Sequence, residues 1–100
     1  MSEFCLTMVC APDIEEKLLD VLLSAVGNEV FTSSPSFSHG TAQGRLSNVE
    51  QVMGRSRSVQ VQIIVTEVEM AQLLELLRES FGGTGLRYWA TPLAAQGEIS

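Results

Sequence analysis

The chain has 100 residues, of which 45% are hydrophobic and 18% charged, and its formal net charge is -6. This length supports one domain over residues 1–100, and the composition excludes the disordered class. The negative charge disfavours nucleic acid and anionic membranes as partners. Because no apolar run is long enough for a membrane span and no secretory leader precedes the two cysteines, we expect a cytoplasmic protein with reduced thiols.

The first third of the chain has the pattern of a strand, a helix and a second strand. Apolar alternation over Glu3–Cys10 predicts a strand. An apolar stripe over residues 14–26 predicts a helix that begins with a capping box at Asp13–Glu16 and ends at Gly27–Asn28. A second strand begins within Glu29–Thr32, and its end stays open because the serines and proline that follow are poor strand residues.

The last third repeats this order. Val59–Thr66 alternates clearly and predicts a strand, and a helical stripe over Met70–Phe81 ends at Gly82–Gly83. Leu86–Thr91 predicts an aromatic last strand that Pro92 terminates. The element order βαββαβ predicts an α+β, ferredoxin-like fold, with an antiparallel sheet and both helices on one of its faces.

A polar, glycine-punctuated segment, Ser33–Ser58, joins the two halves and predicts a functional loop. It holds Arg45, Arg55 and Arg57 against a single acid, so it is locally basic in an acidic protein. A short helix over Val49–Met53 fits the pattern of a capping box followed by a glycine.

The sheet face away from the helices carries few charges. We expect it to present the following side chains: Cys5, Thr7, Val9, Gln60, Gln62, Ile64 and Thr66. A small antiparallel sheet can be solvated on one face, but a charge-poor face more often meets another subunit. The pattern therefore favours a homo-oligomer over a monomer.

Two residue types suggest metal chemistry. Cys5 and Cys10 are an odd number apart on one strand, so they point to opposite faces and cannot bind one ion together. Cys10 is expected in the core, whereas Cys5 on the open face could meet its copies in an oligomer. His39, the single histidine, is either a solvated residue or a ligand whose partners come from another subunit.

Arginines and glycines give the clearest binding hypothesis. Arginine guanidinium groups bind anions, but three exposed arginines are too few for tight binding. The binding site therefore needs a second group of contacts on its other side. The natural candidate is the turn that contains Gly83 and Gly85 and leads to Arg87; a plain helix cap explains only part of its glycine content. No nucleophile with a base and no paired carboxylates are apparent, so we expect no enzyme.

Two stretches carry a resemblance to a known family. The long segment from His39-Gly40 to Arg57 resembles the T-loop of PII-like signalling proteins, the nitrogen regulatory protein P-II-like superfamily. The run from Gly83 to Leu93 is similar to that family's glycine-rich B-loop and the last strand, which ends Thr-Pro. The segment at 49–55 also resembles an uncharacterised branch whose genes often neighbour heavy-metal efflux systems.

The resemblance implies a homotrimer that binds a small ligand, a nucleotide or another anion, in each cleft between subunits. The T-loop-like segment would then signal to a membrane transporter or an enzyme. Arg87 stands where the family has a phosphate-contacting lysine, and Arg45, Arg55, Arg57, Gly83 and Gly85 are the other expected ligand contacts. The alternative is a divalent-metal-binding protein of the cation-tolerance type that uses His39 or Cys5, and a small ferredoxin-like enzyme is a third possibility.

Overall fold

The computed structural model describes residues 2–26, 30–39 and 55–100. Its elements are β1 (Glu3–Cys10), a 3-10 helix (Pro12–Ile14), α1 (Glu15–Val26), β2 (Phe31–His39), β3 (Arg55–Thr66), α2 (Glu67–Phe81) and β4 (Arg87–Pro92). The strands form one antiparallel sheet in the order β2-β3-β1-β4. The predicted ferredoxin-like α+β fold is therefore confirmed.

The core lies between one face of this sheet and the two helices. In the pairing of β1 with β3, Leu6 is opposite Ile63 and Met8 is opposite Val61. These four side chains are at most 1% exposed. The helices complete the core with the following buried residues: Leu18, Leu22, Leu73, Leu77 and Phe81. Each fully buried side chain of this kind stabilises the fold by roughly 1.5 to 3 kcal/mol, so this layer provides most of the hydrophobic stabilisation.

The beginning of α1 differs from the predicted capping box at Asp13–Glu16. A 3-10 turn precedes the helix, and no side-chain hydrogen bond caps the start of this turn. The Ala11 carbonyl accepts a hydrogen bond from the Ile14 amide at 3.0 Å. Pro12 explains the difference, because its fixed φ and missing N–H suit the first helical position and begin the turn before Asp13 can act as the cap.

The segment predicted as a loop over Ser33–Ser58 is strand at both of its ends. β2 continues through Pro35 to His39 and β3 already begins at Arg55. Proline is tolerated because β2 is an edge strand. The hydroxyl of Ser58 is 2.8 Å from that of Ser36 and accepts a hydrogen bond from Ser38 at 3.0 Å, so these three serines bond to one another across the two strands. The predicted short helix at Val49–Met53 lies outside the described residues, as does the predicted end of α1 at Gly27–Asn28.

In the described part of the chain, no helix is long and apolar enough to cross a membrane.

Thr66 caps α2 and should measurably stabilise the fold. Its hydroxyl accepts from the Glu69 amide at 3.2 Å, and the Glu69 carboxylate accepts from the Thr66 amide at 2.8 Å. We expect Thr66→Ala to lower the free energy of unfolding by about 1 kcal/mol in urea denaturation. Thr66→Ser keeps the hydroxyl and should lose much less; equal losses in the two variants would contradict a role for the cap.

Cys10 should be the less reactive thiol. Burial raises the pKa of the Cys10 thiol, and the carboxylates of Glu15 and Asp13 raise it further. A raised pKa keeps the thiol protonated at neutral pH, and the stability linked to it is present below the unfolded thiol's pKa and lost as the pH rises through the folded value. We expect iodoacetamide at mildly alkaline pH to modify Cys10 in Cys5→Ser at least about tenfold more slowly than Cys5 in Cys10→Ala.

Urea should abolish the difference between the two thiols. Equal rates in the folded variants would show that Cys10 is accessible, against its burial in the core.

Candidate functional site

Most of the predicted ligand residues are at one end of the sheet. Because β3 and β4 both run antiparallel to β1, the first residues of β3 and β4 lie at the same end. Arg55 and Arg57 begin β3, and Arg87 begins β4. His39, the last residue of β2, pairs with Arg55. We call this group, with the glycine turn 82–85, the cationic end; Arg45 lies outside the described residues.

Arg57 and Arg87, two arginines of the cationic end, are on opposite faces of the sheet. Arg57 pairs with Phe37 and precedes Val59 by two residues, which assigns it to the face that carries the helices. Arg87 pairs with Val9 and therefore belongs to the other, open face. One subunit thus does not bring these two guanidinium groups to a common point. A single anion could contact both only where a second subunit contributes one of them.

The glycine turn is explained by its own backbone. Gly83 and Gly85 have φ values of 83° and 85°, a region that side-chain-bearing residues rarely adopt. A Cβ on Gly82 would lie 2.9 Å from the Arg78 carbonyl oxygen. Thr84 fixes the turn, since its hydroxyl donates to the Phe81 carbonyl at 2.7 Å and accepts from the Leu86 amide at 3.3 Å. All three glycines therefore have a local structural reason, and the turn delivers Arg87 rigidly to the sheet.

The open face has a polar network at its centre. Gln62 donates to the Thr7 hydroxyl at 3.2 Å, and the Cys5 sulfur lies 3.9 Å from the same oxygen. Thr7 is only 2% exposed although neither α1 nor α2 covers this face, because the larger side chains of its strand partners Gln62 and Trp89 flank it. Trp89 is half-exposed. The predicted charge-poor face is present, with Arg87 at one end and Thr7 buried at its centre.

Sequence reasoning missed two features of this face. The first is Trp89, which the register of β4 against β1 places opposite Thr7; alternation within the last strand could have indicated it. The second is the hydroxyl cluster of Ser36, Ser38 and Ser58, which depends on a pairing of β2 with β3 that the poor strand propensity of serine concealed.

The predicted metal residues do not come together in one subunit. Cys5 pairs with Ile64 on the open face, whereas His39 pairs with Arg55 on the face of the helices. Their partners are nine residues apart along β3, or roughly 30 Å at about 3.3 Å per residue. Cys10 is buried in the core as predicted. Within the described ranges, no three His, Cys, Asp or Glu side chains are grouped to hold a metal ion.

Solved structures share this fold at low sequence identity. A DUF3240 family protein from Shewanella baltica OS155 is similar over 100% of this chain and 99% of its own, with 19% identity and a TM-score of 0.81. CPII, a nitrogen regulatory PII-like protein from Thiomonas intermedia K12 bound to ADP, AMP and bicarbonate, is similar over 99% and 98%, with 16% identity and a TM-score of 0.75.

A third similar structure is that of a divalent cation tolerance protein, the class named above as the alternative. The periplasmic divalent cation tolerance protein CutA from Archaeoglobus fulgidus is similar over 98% of this chain and 89% of its own, with 12% identity and a TM-score of 0.68. No curated protein sequence matches the chain. The predicted relation to PII-like proteins is thus confirmed in the fold.

The sequence itself defines the family. The family described as "Protein of unknown function (DUF3240)" matches residues 1–100. This match covers all the elements of the fold and both stretches on which the PII-like resemblance depends. The chain belongs to the DUF3240 family.

Proposed function

We propose that this protein is a regulatory or sensor protein of the PII-like type. It binds a small anion, a nucleotide or another anion, in clefts between the subunits of a homotrimer. Binding changes the segment between β2 and β3, which contacts a transporter or an enzyme. Such a switch requires a ligand whose affinity differs between the two states of the segment.

The observation that carries the proposal is the cationic end. Arg55 and Arg57 lie at the start of β3, beside the last residues of β2, and Arg87 begins β4 at the same end of the sheet, with β1 between β4 and β3. Guanidinium groups donate paired hydrogen bonds to phosphate and carboxylate oxygens, so this end suits an anion. A ligand bound here would contact the base of the hairpin, which gives it a direct route to residues 40–54.

The open face supports the oligomer. It combines an uncharged centre with a half-exposed tryptophan, which is the composition of the buried part of a protein interface. A neighbour that packs its own open face there would turn its Arg57 away from Arg87, so a shared cleft requires the neighbour to present the start of its β3, with Arg57, beside this contact. The similar CPII structure contains ADP, AMP and bicarbonate, which makes these anions the first ligands to test.

The metal-binding alternative has less support. CutA has the same fold, but Cys5 and His39 are too far apart in one subunit to share an ion. A metal site would require two or more copies to meet at the same residue.

Arg87 gives the sharpest test of the anion site. We expect Arg87→Ala to weaken the binding of ADP, AMP or bicarbonate about tenfold in calorimetric titration, because a charge-assisted hydrogen bond is lost. Arg87→Lys keeps the charge without the fork and should have an intermediate affinity. Light scattering should show the same oligomer in all the variants.

Arg78→Ala is the matched control, since Arg78 carries the same charge but lies on α2, where it is 3.5 Å from the Tyr88 hydroxyl. Its removal should leave anion affinity unchanged. Wild-type affinity in Arg87→Ala would show that Arg87 does not contact the anion. Equal losses of affinity in Arg87→Ala and Arg78→Ala would show that the overall charge of the protein, and not a specific contact, causes the loss.

A further inference from the structure

The two helices carry the whole net charge of the protein. Residues 12–26 and 67–81 contain eight acids against two cations, Lys17 and Arg78, which gives a formal charge of -6. The chain as a whole also has -6, so the remaining residues are balanced, with four arginines against four acids. The outer surface of the helical layer is therefore strongly negative, while the sheet and the segment between β2 and β3 are neutral overall.

A groove with both polar and apolar lining lies on this negative layer. It lies between the end of α1 and the first half of α2, has a volume of about 220 Å³ and is lined by these residues: Ala25, Glu69, Gln72, Leu73 and Leu76. Leu73 is buried at its floor, and Leu76 is partly exposed. This volume is below the roughly 300 to 1,000 Å³ of small-molecule pockets, so it suits one or two inserted side chains better than a free ligand.

An exposed stripe extends the groove along α2. Val68, Gln72 and Leu76 are spaced at i, i+4 and i+8 and so lie on one side of the helix. Val68 is 61% exposed, although it is a β-branched residue on the solvent side of a helix. Glu79 follows Leu76 by three residues and is exposed next to the stripe. The groove thus combines apolar anchoring positions with a negative rim.

The geometry points to a docking surface for a basic amphipathic helix of a partner protein. One apolar side chain of that helix enters the groove between Ala25 and Leu76, and another, roughly 12 Å along α2, packs on Val68. Its lysines or arginines face the carboxylates of the helical layer, as helix-in-groove recognition with complementary charge requires. This surface is on the face of the sheet opposite to the open face, so the inference does not depend on the proposed anion site.

Charge decides between the possible occupants. A second copy would place two surfaces of charge -6 against each other, which repels, and an anionic membrane would be repelled in the same way. An uncharged apolar helix would leave the carboxylates unpaired at the rim. A basic helix is the occupant that both the groove and the charge favour.

A labelled synthetic peptide tests the surface directly. The probe is a helix of roughly 18 residues, made of leucine and lysine with the leucines on one stripe. Its control is a peptide of the same composition in an order without a stripe. In fluorescence anisotropy with the full-length protein, we expect the striped peptide to bind at least about tenfold more tightly, because only it can insert leucines into the groove.

Variants locate the peptide. Val68→Ser should weaken its binding about tenfold, and Ile99→Ser, which changes a 97% exposed residue away from the helices, should not. Glu79→Gln should weaken binding a few-fold and reduce its dependence on salt, whereas Glu98→Gln should do neither. The emission of Trp89, the single tryptophan, should stay constant because it lies on the open face.

Three results would overturn the inference. Equal affinity of the two peptides would mean general attraction to an acidic protein. A change in Trp89 emission with unchanged binding to Val68→Ser would move the peptide to the open face. A smaller oligomer in Val68→Ser without any peptide would show that the groove holds a second copy of the chain.

Discussion

The structure depends on the register of β1 against β3, the two central strands. With Leu6 opposite Ile63 and Met8 opposite Val61, most of the large apolar side chains of the two strands face the helices, while Val9 and Ile64 lie on the open face. A shift by one residue would turn this set to the other face and expose it, at a cost of several kilocalories per mole. The same register leaves Thr7 and Gln62 on the open face, where they hydrogen-bond to each other.

The functional features follow from this arrangement. Antiparallel pairing on both sides of β1 brings the starts of β3 and β4 to one end, and both starts carry arginine. The helices, which cover one face, carry the acidic excess. The fold therefore presents three chemically different surfaces: a cationic end, a charge-poor open face and a negative helical layer with a groove. The proposed partners of these surfaces are an anion, a second copy and a basic helix, respectively.

The sequence predicted the fold well because, in both halves of the chain, the spacing of apolar residues and the glycines that follow the helices indicate the same strands and helices. It left the end of β2 open and assigned residues 33–39 and 55–58 to a loop, because four serines and Pro35 have low strand propensity. Pairing with β3 holds them in a strand, and Ser36 and Ser38 also contact the Ser58 hydroxyl. The sequence also failed at the start of α1, where Pro12 acts before Asp13. The sequence singled out the arginines as ligand contacts. It could not show that Arg57 and Arg87 lie on different faces of the sheet, because this depends on how the strands pair and not on any local pattern. The groove between the helices depends on how two helices pack, and it was missed for that reason.

In the proposed site, each anion cleft takes Arg57 from one subunit and Arg87 from the next. Mixed oligomers of Arg57→Ala and Arg87→Ala test this arrangement, by titrating ADP into each variant alone and into oligomers assembled from an equal mixture. If the cleft is shared in this way, each variant alone binds weakly, but about a quarter of the clefts in a random mixture combine two intact arginines and regain wild-type affinity. If both arginines act within one subunit, or neither contacts the anion, mixing restores no high-affinity sites, which would contradict a shared cleft.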